Sequence, residues 1–328
     1  MDFFLFSKWG QMTLAVLAFT AVVLVILGIA KLGDRFAGRA RTLIMVLCFG
    51  GPAAFLLVLG LLYPAVRTTV MSFMDGSSET FVGVANYEWV FTNPDSLQAF
   101  INTFFWVVLV PLVSTSVGLI YAILVDRSRF EKIAKTMLFV PMAISFVGAG
   151  IIWKFVYEYR GAAQDQIGLL NALLVGLGIE PLRFLQDAPW NTFFLIAVMI
   201  WIQAGFAMVL LSAAIKAIPD DIVEAARLDG VSGWQMFRSI TVPSIRPTLV
   251  VVVTTITIAT LKIFDIPRTM TGSRFDTQVL ANMMYDQSFT FGNNGTGSAL
   301  AVVIFVLVIP IVVFNVRQMV KNREVRGA

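Results

Sequence analysis

The side chains best placed to do chemistry lie close together. Between Pro219 and Pro243 the chain reads PDDIVEAARLDGVSGWQMFRSITVP, with acids at Asp220, Asp221, Glu224 and Asp229. Clustered carboxylates are how many sites exchange protons, because like charges held together push their pKa values apart. Here they fall on a short stretch that reads as a surface helix, with no deep site beside it. The other usual participants are missing. The chain has no histidine, the commonest general base and a common metal ligand. Its single cysteine, Cys48, sits in an apolar run and reads as a buried, inert thiol. No G-x-x-x-x-G-K-[ST] phosphate loop occurs. The expectation is a chain that is no enzyme, carries no cofactor or metal of its own, and uses these acids to meet a partner.

The local code of the stretch supports that. Pro219 suits a helix start, where its missing N–H costs nothing. Asp220 and Asp221 favour the positive end of the helix dipole. Ala225 and Ala226 are small enough for another surface to approach closely. Gly230 suits a stop that needs a left-handed residue. Ser232 and Gln235 then form an S-x-x-Q capping box for a second short helix, on which Trp234 and Phe237 share a face. An interfacial helix resting on lipid headgroups is the plain alternative. Such helices carry basic polar faces, and this one is acidic.

The surrounding chain must place that loop at a membrane surface. Of 328 residues, 58% are hydrophobic and 13% charged, against roughly 45–50% and about 25% in soluble domains; the mean hydropathy is +0.83. A bilayer core takes about 20 apolar helical residues. Seven segments meet that length: Met12–Ala30, Thr42–Val66, Ala99–Val125, Lys135–Tyr157, Asn191–Ile215, Ser244–Phe264 and Ser298–Arg317. The predicted fold is all-α, a polytopic membrane helical bundle of about seven transmembrane helices. The first run reads as a retained helix and not a cleaved leader, because its basic cluster follows it.

Lysine and arginine set the orientation. KLGDRFAGRAR, DRSRFEKIAK and the tail RQMVKNREVRGA each hold four basic residues. The intervening loops differ: 67–98 has one basic residue and four acids, and 154–190 has three and four. The predicted amino terminus is therefore outside and the carboxyl terminus cytoplasmic, with the EAARLDG loop on the cytoplasmic side.

EAARLDGVSGWQMFRSITVPSIRP resembles the cytoplasmic EAA loop of ABC importer permeases. Glu224, Ala225, Ala226, Gly230, Ile240 and Pro243 match its spacing, with Val242 where leucine is usual. FVGVANYEWVFTNPDSLQAFINTFFWVV resembles the outer loop and following helix of the binding-protein-dependent carbohydrate permeases, the maltose/α-glucoside-like, MalF-type subunits. FDIPRTMTGSRFDTQVLANMMYDQSF resembles their F-D…T-x-G-G-P segment, with Ser273-Arg274 replacing Gly-Pro. The resemblance implies a six-helix permease core over 43–320, an extra N-terminal helix with its basic loop over 1–42 and a basic tail over 321–328. It implies that 219–243 is the coupling loop, seated in a groove of a cytoplasmic ATPase dimer that binds ATP and magnesium and does the hydrolysis. Glu224, Ala225, Ala226, Asp229, Gly230 and Pro243 would make that contact. It further implies a second homologous permease, an extracytoplasmic solute-binding protein, a di- or oligosaccharide cargo and a prokaryotic cytoplasmic membrane. No nucleic-acid partner is expected.

Sugars are held by aromatic faces and polar groups in concave sites. Within the spans the candidates are Asn102, Trp106, Trp153, Tyr157, Trp201, Gln203 and Asp265. Polar residues there face a cavity or another helix; Trp106, Trp153 and Tyr157 also suit an interfacial aromatic belt, and Lys262 and Asp265 are placed to pair. Three rivals remain: an ABC permease for another small solute, which the coupling loop cannot exclude; a stand-alone secondary transporter or channel, against which few mid-span charges and no convincing repeat count; and a membrane scaffold that transports nothing, which would leave that loop unexplained.

Overall fold

The structure, a computed structural model, describes residues 7–33, 38–125, 131–161 and 164–327, with backbone alone at 26, 30, 32–33, 39–41 and 319–327. Asp34, Arg35, Asp126, Arg127 and Arg129, which helped set the predicted orientation, lie outside the described residues, as do the side chains of Lys321, Arg323, Glu324 and Arg326. The described residues are helical apart from turns and one isolated antiparallel bridge, Met74 to Phe81.

The chain divides into two compact units at Thr68/Thr69. In the first, α1 (Lys8–Gly33) packs against α2 (Arg39–Leu57). The latter runs through a π-helical turn, Val58–Leu62, into α3 (Tyr63–Met71). The turn immediately precedes Pro64, whose missing N–H cannot continue an α-helical ladder; a wider turn absorbs the break. The apolar side chains of this unit are almost all exposed, as a surface solvated by lipid allows. Cys48 is half-buried, not buried as expected.

The second unit is built around α9 (Trp190–Lys216), the most buried of the spans. It packs along α5 (Pro94–Val125). Gly118 makes the approach close: a Cβ there would stand 2.6 Å from the Ala207 methyl, which is how small residues bring membrane helices together. Next, α12 (Val242–Leu261) lies against both. The last helix, α15 (Asn294–Gly327), packs on α12, where Asn315 Nδ2 donates to Thr254 Oγ1 at 2.7 Å. Trp106, Leu195, Met199, Leu211, Ile256 and Ile266 form the core.

Among the described residues, six helices are long and apolar enough to cross a membrane, or seven if one bent pair is a single span. The expected seven segments are recovered with one correction. Lys135–Tyr157 is no straight helix. It is α6 (Glu131–Phe139), a 3-10 turn over Val140–Ala143, and α7 (Phe146–Val156), bent by 105°. Pro141 removes a backbone donor and clashes with a continuing helix. Ser145 then restarts the chain, its hydroxyl accepting from Gly148 N–H at 3.1 Å. Shorter helices complete the unit: α4 (Ala85–Thr92), α8 (Leu169–Gly176), α10 (Asp220–Leu228), α11 (Gly233–Met236), α13 (Asp265–Thr271) and α14 (Leu280–Tyr285).

Candidate functional site

At one end of α9 the acidic stretch folds as two short helices. Pro219 is the extended residue just before α10, and Asp220 and Asp221 occupy its first turn. The helix stops in a Schellman motif: Gly230 N–H donates to Arg227 O at 3.1 Å, and Val231 N–H to Ala226 O at 3.2 Å. The motif needs a left-handed residue, and Gly230 supplies it at φ +72°. Two residues on, the capping box forms as its sequence suggests. Gln235 N–H donates to Ser232 Oγ at 3.3 Å, and Ser232 N–H donates to Gln235 Oε1 at 2.9 Å. A second π-helical turn, Phe237–Thr241, precedes Pro243 and the start of α12. The turn between the two short helices and the start of the second are thus closed by hydrogen bonds within the loop, which stiffens their junction, whereas the start of α10 has no side-chain cap.

Its outward surface is mixed. Ala226 is buried against the bundle, whereas Glu224, Ala225, Asp229, Gly230 and Pro243 are exposed. Leu228 is 89% exposed and Trp234 67%, the latter packed on Phe237 with ring centroids 5.4 Å apart. The loop thus presents a large leucine and a tryptophan among acids. Just above, the end of α9 is braced to α6. Glu131 Oε1 accepts from Lys216 Nζ at 2.5 Å and from Lys135 Nζ at 2.7 Å, and Lys135 donates to Ser212 Oγ at 2.5 Å. One seven-residue step toward the middle of α9, Gly205 lets the Leu138 carbonyl of α6 approach within a distance that no Cβ tolerates. Both contacts join α9, at whose end the loop lies, to the broken span.

At the other end of α9, about 40 Å away at 1.5 Å per residue, a chamber of about 800 Å³ opens. Tyr157, Tyr159, Glu158, Lys154 and Arg183 line one side, and Arg268, Arg274, Phe275 and Asp286 the other. Arg268 Nη1 donates to Asp286 Oδ1 at 2.7 Å and stacks over Tyr285 at 5.2 Å; Arg183 lies over Tyr159 at 5.3 Å. The wall at 272–276 is strained. Ser273, Phe275 and Asp276 all take left-handed backbone, φ +57° to +60°, unusual for residues other than glycine. Two buried asparagines hold it there. Asn191 Nδ2 donates to Phe275 O at 2.6 Å; Asn102 Nδ2 donates to Asp276 O at 2.6 Å and Gln278 O at 2.8 Å.

The sequence candidates therefore separate. Asn102 is not free to bind cargo: its amide N–H groups are spent on two carbonyls, and its oxygen accepts from Gln98 at 3.2 Å. Trp106 belongs to neither a belt nor a cavity; it is fully buried in the core. Tyr157 does line the chamber, and behind it the rings continue inward, Tyr157 to Trp153 at 5.2 Å and Trp153 to Trp201 at 5.5 Å. Gln203 is nearly buried, two residues along α9 from Trp201. Asp265 is half-buried in the first turn of α13, and the expected pair with Lys262 does not form. The charged pair of that helix is instead Arg268–Asp286. Lys154, Arg183, Arg268 and Asp286 were not singled out from sequence, and Arg274 only as a departure from the resembling segment, because they come from segments far apart in the chain. The one available signal was four basic residues on a side of the chain where basic residues are otherwise sparse.

Comparison with known proteins bears on the family and the fold. The family model described as the binding-protein-dependent transport system inner membrane component matches residues 114–326. The chain is 49% identical over 275 residues to the osmoprotective compounds uptake permease protein GgtC of Synechocystis sp., covering 84% of this chain and 99% of that one. It is 50% identical over 270 residues to the alpha-glucoside transport system permease protein AglF of Rhizobium meliloti, covering 82% and 80%. The fold is similar to a chain of a bacterial ABC transporter that imports the acidic polysaccharide alginate, with TM-score 0.71 at 23% identity over 81% of this chain and 92% of that one. With most of its length matched in sequence and in fold, the chain belongs to the family of binding-protein-dependent transport system inner membrane components.

Proposed function

We propose that the chain is the transmembrane permease subunit of an ATP-driven carbohydrate importer in a prokaryotic cytoplasmic membrane, with its amino terminus outside and its carboxyl terminus cytoplasmic. The observation that carries this reading is the stiff two-helix loop at one end of α9, which presents Leu228 and Trp234 among acids. In this reading Glu224, Ala225, Asp229, Gly230 and Pro243 belong to the surface that meets one subunit of a cytoplasmic ATPase dimer, which binds ATP and magnesium, while Ala226, expected to share that contact, is buried beneath it. Motion of that subunit pushes α9 along its axis. The Glu131–Lys216 brace turns the push into rotation of α6 and α7, which carries Trp153 and Tyr157 at the chamber end.

A saccharide delivered by an extracytoplasmic binding protein enters along Tyr157, Trp153 and Trp201, with Gln203 as a polar contact and Asp265 at the gate. Asn102 serves the path by holding its wall. A second, homologous permease completes the pathway. One relative is named for alpha-glucoside transport, which supports a saccharide cargo. Another is named for osmoprotective compounds, which keeps another small solute as the rival cargo.

The test is gentle purification from the native membrane, identification of what accompanies the chain, and a screen for solutes that stimulate ATP hydrolysis in the reconstituted assembly. Co-purification of an ATPase with a second permease, and stimulation by an α-glucoside, is expected. A chain that purifies alone and still transports in liposomes would overturn the reading.

A further inference from the structure

The connection between α7 and α9 carries an apolar surface that no span accounts for. From Gln166 to Ile179 it holds no charged residue, and from Ile167 to Ile179 its one polar side chain is Asn171. The short helix α8 lies inside this stretch. Asn171 faces inward: its Nδ2 donates to Glu158 O at 2.9 Å and to Leu182 O at 3.0 Å, and its Oδ1 accepts from Leu182 N–H at 2.8 Å. Leu170 and Leu174, on the same side, pack against the core. Ile167, Leu169, Leu173, Val175, Leu177 and Ile179 are left exposed. Surfaces that face water rarely gather so many large apolar side chains.

Lipid fits this face better than a protein does. An interfacial helix that rests among the headgroups has a charged side; α8 has none, so it belongs below them. A protein interface carries about one hydrogen bond per 100–200 Å², and this face offers no polar side chain to make one. In hydrocarbon a backbone must satisfy its own donors and acceptors, and α8 closes in a Schellman motif. Gly178 N–H donates to Val175 O and Ile179 N–H to Leu174 O, both at 2.9 Å, with Gly178 at φ +77°. The face also adjoins one that is already apolar and exposed. Gly168 is pressed against the Glu158 carbonyl with no room for a Cβ, and Phe155, three residues before Glu158 on α7, is 65% exposed.

We propose that α8 is a lipid anchor, which dips its apolar face into the outer leaflet and so fixes the depth of the adjoining end of α7. Which leaflet it enters rests on the importer reading; the insertion itself does not. The tie is Asn171, which joins α8 to Glu158, the residue after Tyr157 of the proposed cargo path. The span that α7 completes is bent by 105°. Its inner half is held by α9 through Gly205 and Lys216, and the anchor gives its outer half a fixed point as well.

The experiment labels the wild-type complex in sealed vesicles of phosphatidylethanolamine and phosphatidylglycerol that carry a diazirine phospholipid. Arg160 and Arg183 bracket the stretch with no lysine or arginine between them, so trypsin releases it as one peptide for mass spectrometry. The lipid-borne carbene is expected to enter residues 167–179 as readily as Phe155, and hydroxyl radicals made in the water are expected to spare them. Modification by the radicals without the carbene overturns the proposal. So does protection from both, which marks a protein cover such as the second permease or the binding protein. Leu173→Asp combined with Leu177→Asp should cut carbene labelling of the stretch at least about fivefold, because a carboxylate resists transfer into hydrocarbon, and should slow uptake while the complex still assembles. Labelling that the double variant leaves unchanged overturns insertion, and full uptake despite lost labelling overturns the anchoring role. An impermeant carboxyl reagent should reach Asp165 and Glu180 from outside right-side-out vesicles. Reaction only from the cytoplasmic side overturns the orientation in the importer reading, and is told apart because the carbene result stands without it.

Discussion

Gly230 separates backbone conformation from packing unusually cleanly. Its φ is +72°, yet a Cβ built there meets nothing within 4 Å. Any cost of substitution is therefore conformational. An ordinary L-residue in left-handed backbone costs roughly 1–2 kcal/mol, whereas asparagine adopts it readily. A β-branched residue costs more, because both branches crowd the backbone. If the Schellman turn must be formed when the loop meets its partner, that cost appears directly in the affinity, where about 1.4 kcal/mol is tenfold. Gly230→Ala should then weaken association with the ATPase by about 5- to 30-fold, and Gly230→Val by more. Gly230→Asn should stay within about threefold. The assay is titration of the ATPase onto the permease in nanodiscs, alongside thermal unfolding of the permease alone. The bundle's unfolding temperature should barely move in any variant, because the turn is exposed. Equal affinities for the alanine, valine and asparagine variants would refute the reasoning, since only a turn unused in the docked state is indifferent to all three.

Three further outcomes are expected. Glu224→Lys should weaken ATPase docking about tenfold while leaving the thermal stability of the bundle unchanged, because Glu224 is exposed; loss of stability with docking retained would count against a partner-facing role. Asn102→Leu should destabilise the second unit by about 2–4 kcal/mol, because it orphans the Asp276 and Gln278 carbonyls; thermal unfolding that matches wild type would mean the wall does not depend on this clamp. Asp75 is held well below the usual carboxylate range, first by the Thr80 hydroxyl and then by the Glu79 N–H. A depressed folded-state pKa contributes stability above the unfolded value and loses it only as pH falls through the folded one. Slow exchange of the Glu79 and Thr80 amides should therefore persist at about pH 4, near the ordinary aspartate value, and its loss there would contradict the assignment.

Much of this protein is written locally in its chain. Apolar length alone marks the spans, since in lipid a backbone must satisfy its own hydrogen bonds and a helix of about 20 residues is the simplest way to do so. The two-helix loop is equally local: Pro219, the acids after it, Gly230, Ser232 and Gln235 each act within four residues, so their roles can be read before any packing is known. Where tertiary contacts decide, the local signals mislead. Lys135–Tyr157 has the length and hydropathy of one span; it breaks at Pro141, and α9 holds the resulting corner through Gly205, Ser212 and Lys216. Asn102 has the chemistry of a sugar ligand, and only the approach of residues 276–278, some 170 positions away, turns it into a clamp. The chamber is the extreme case. Its cations come from four segments, so no window of sequence contains it, and its charge exists only once the fold has brought those segments together.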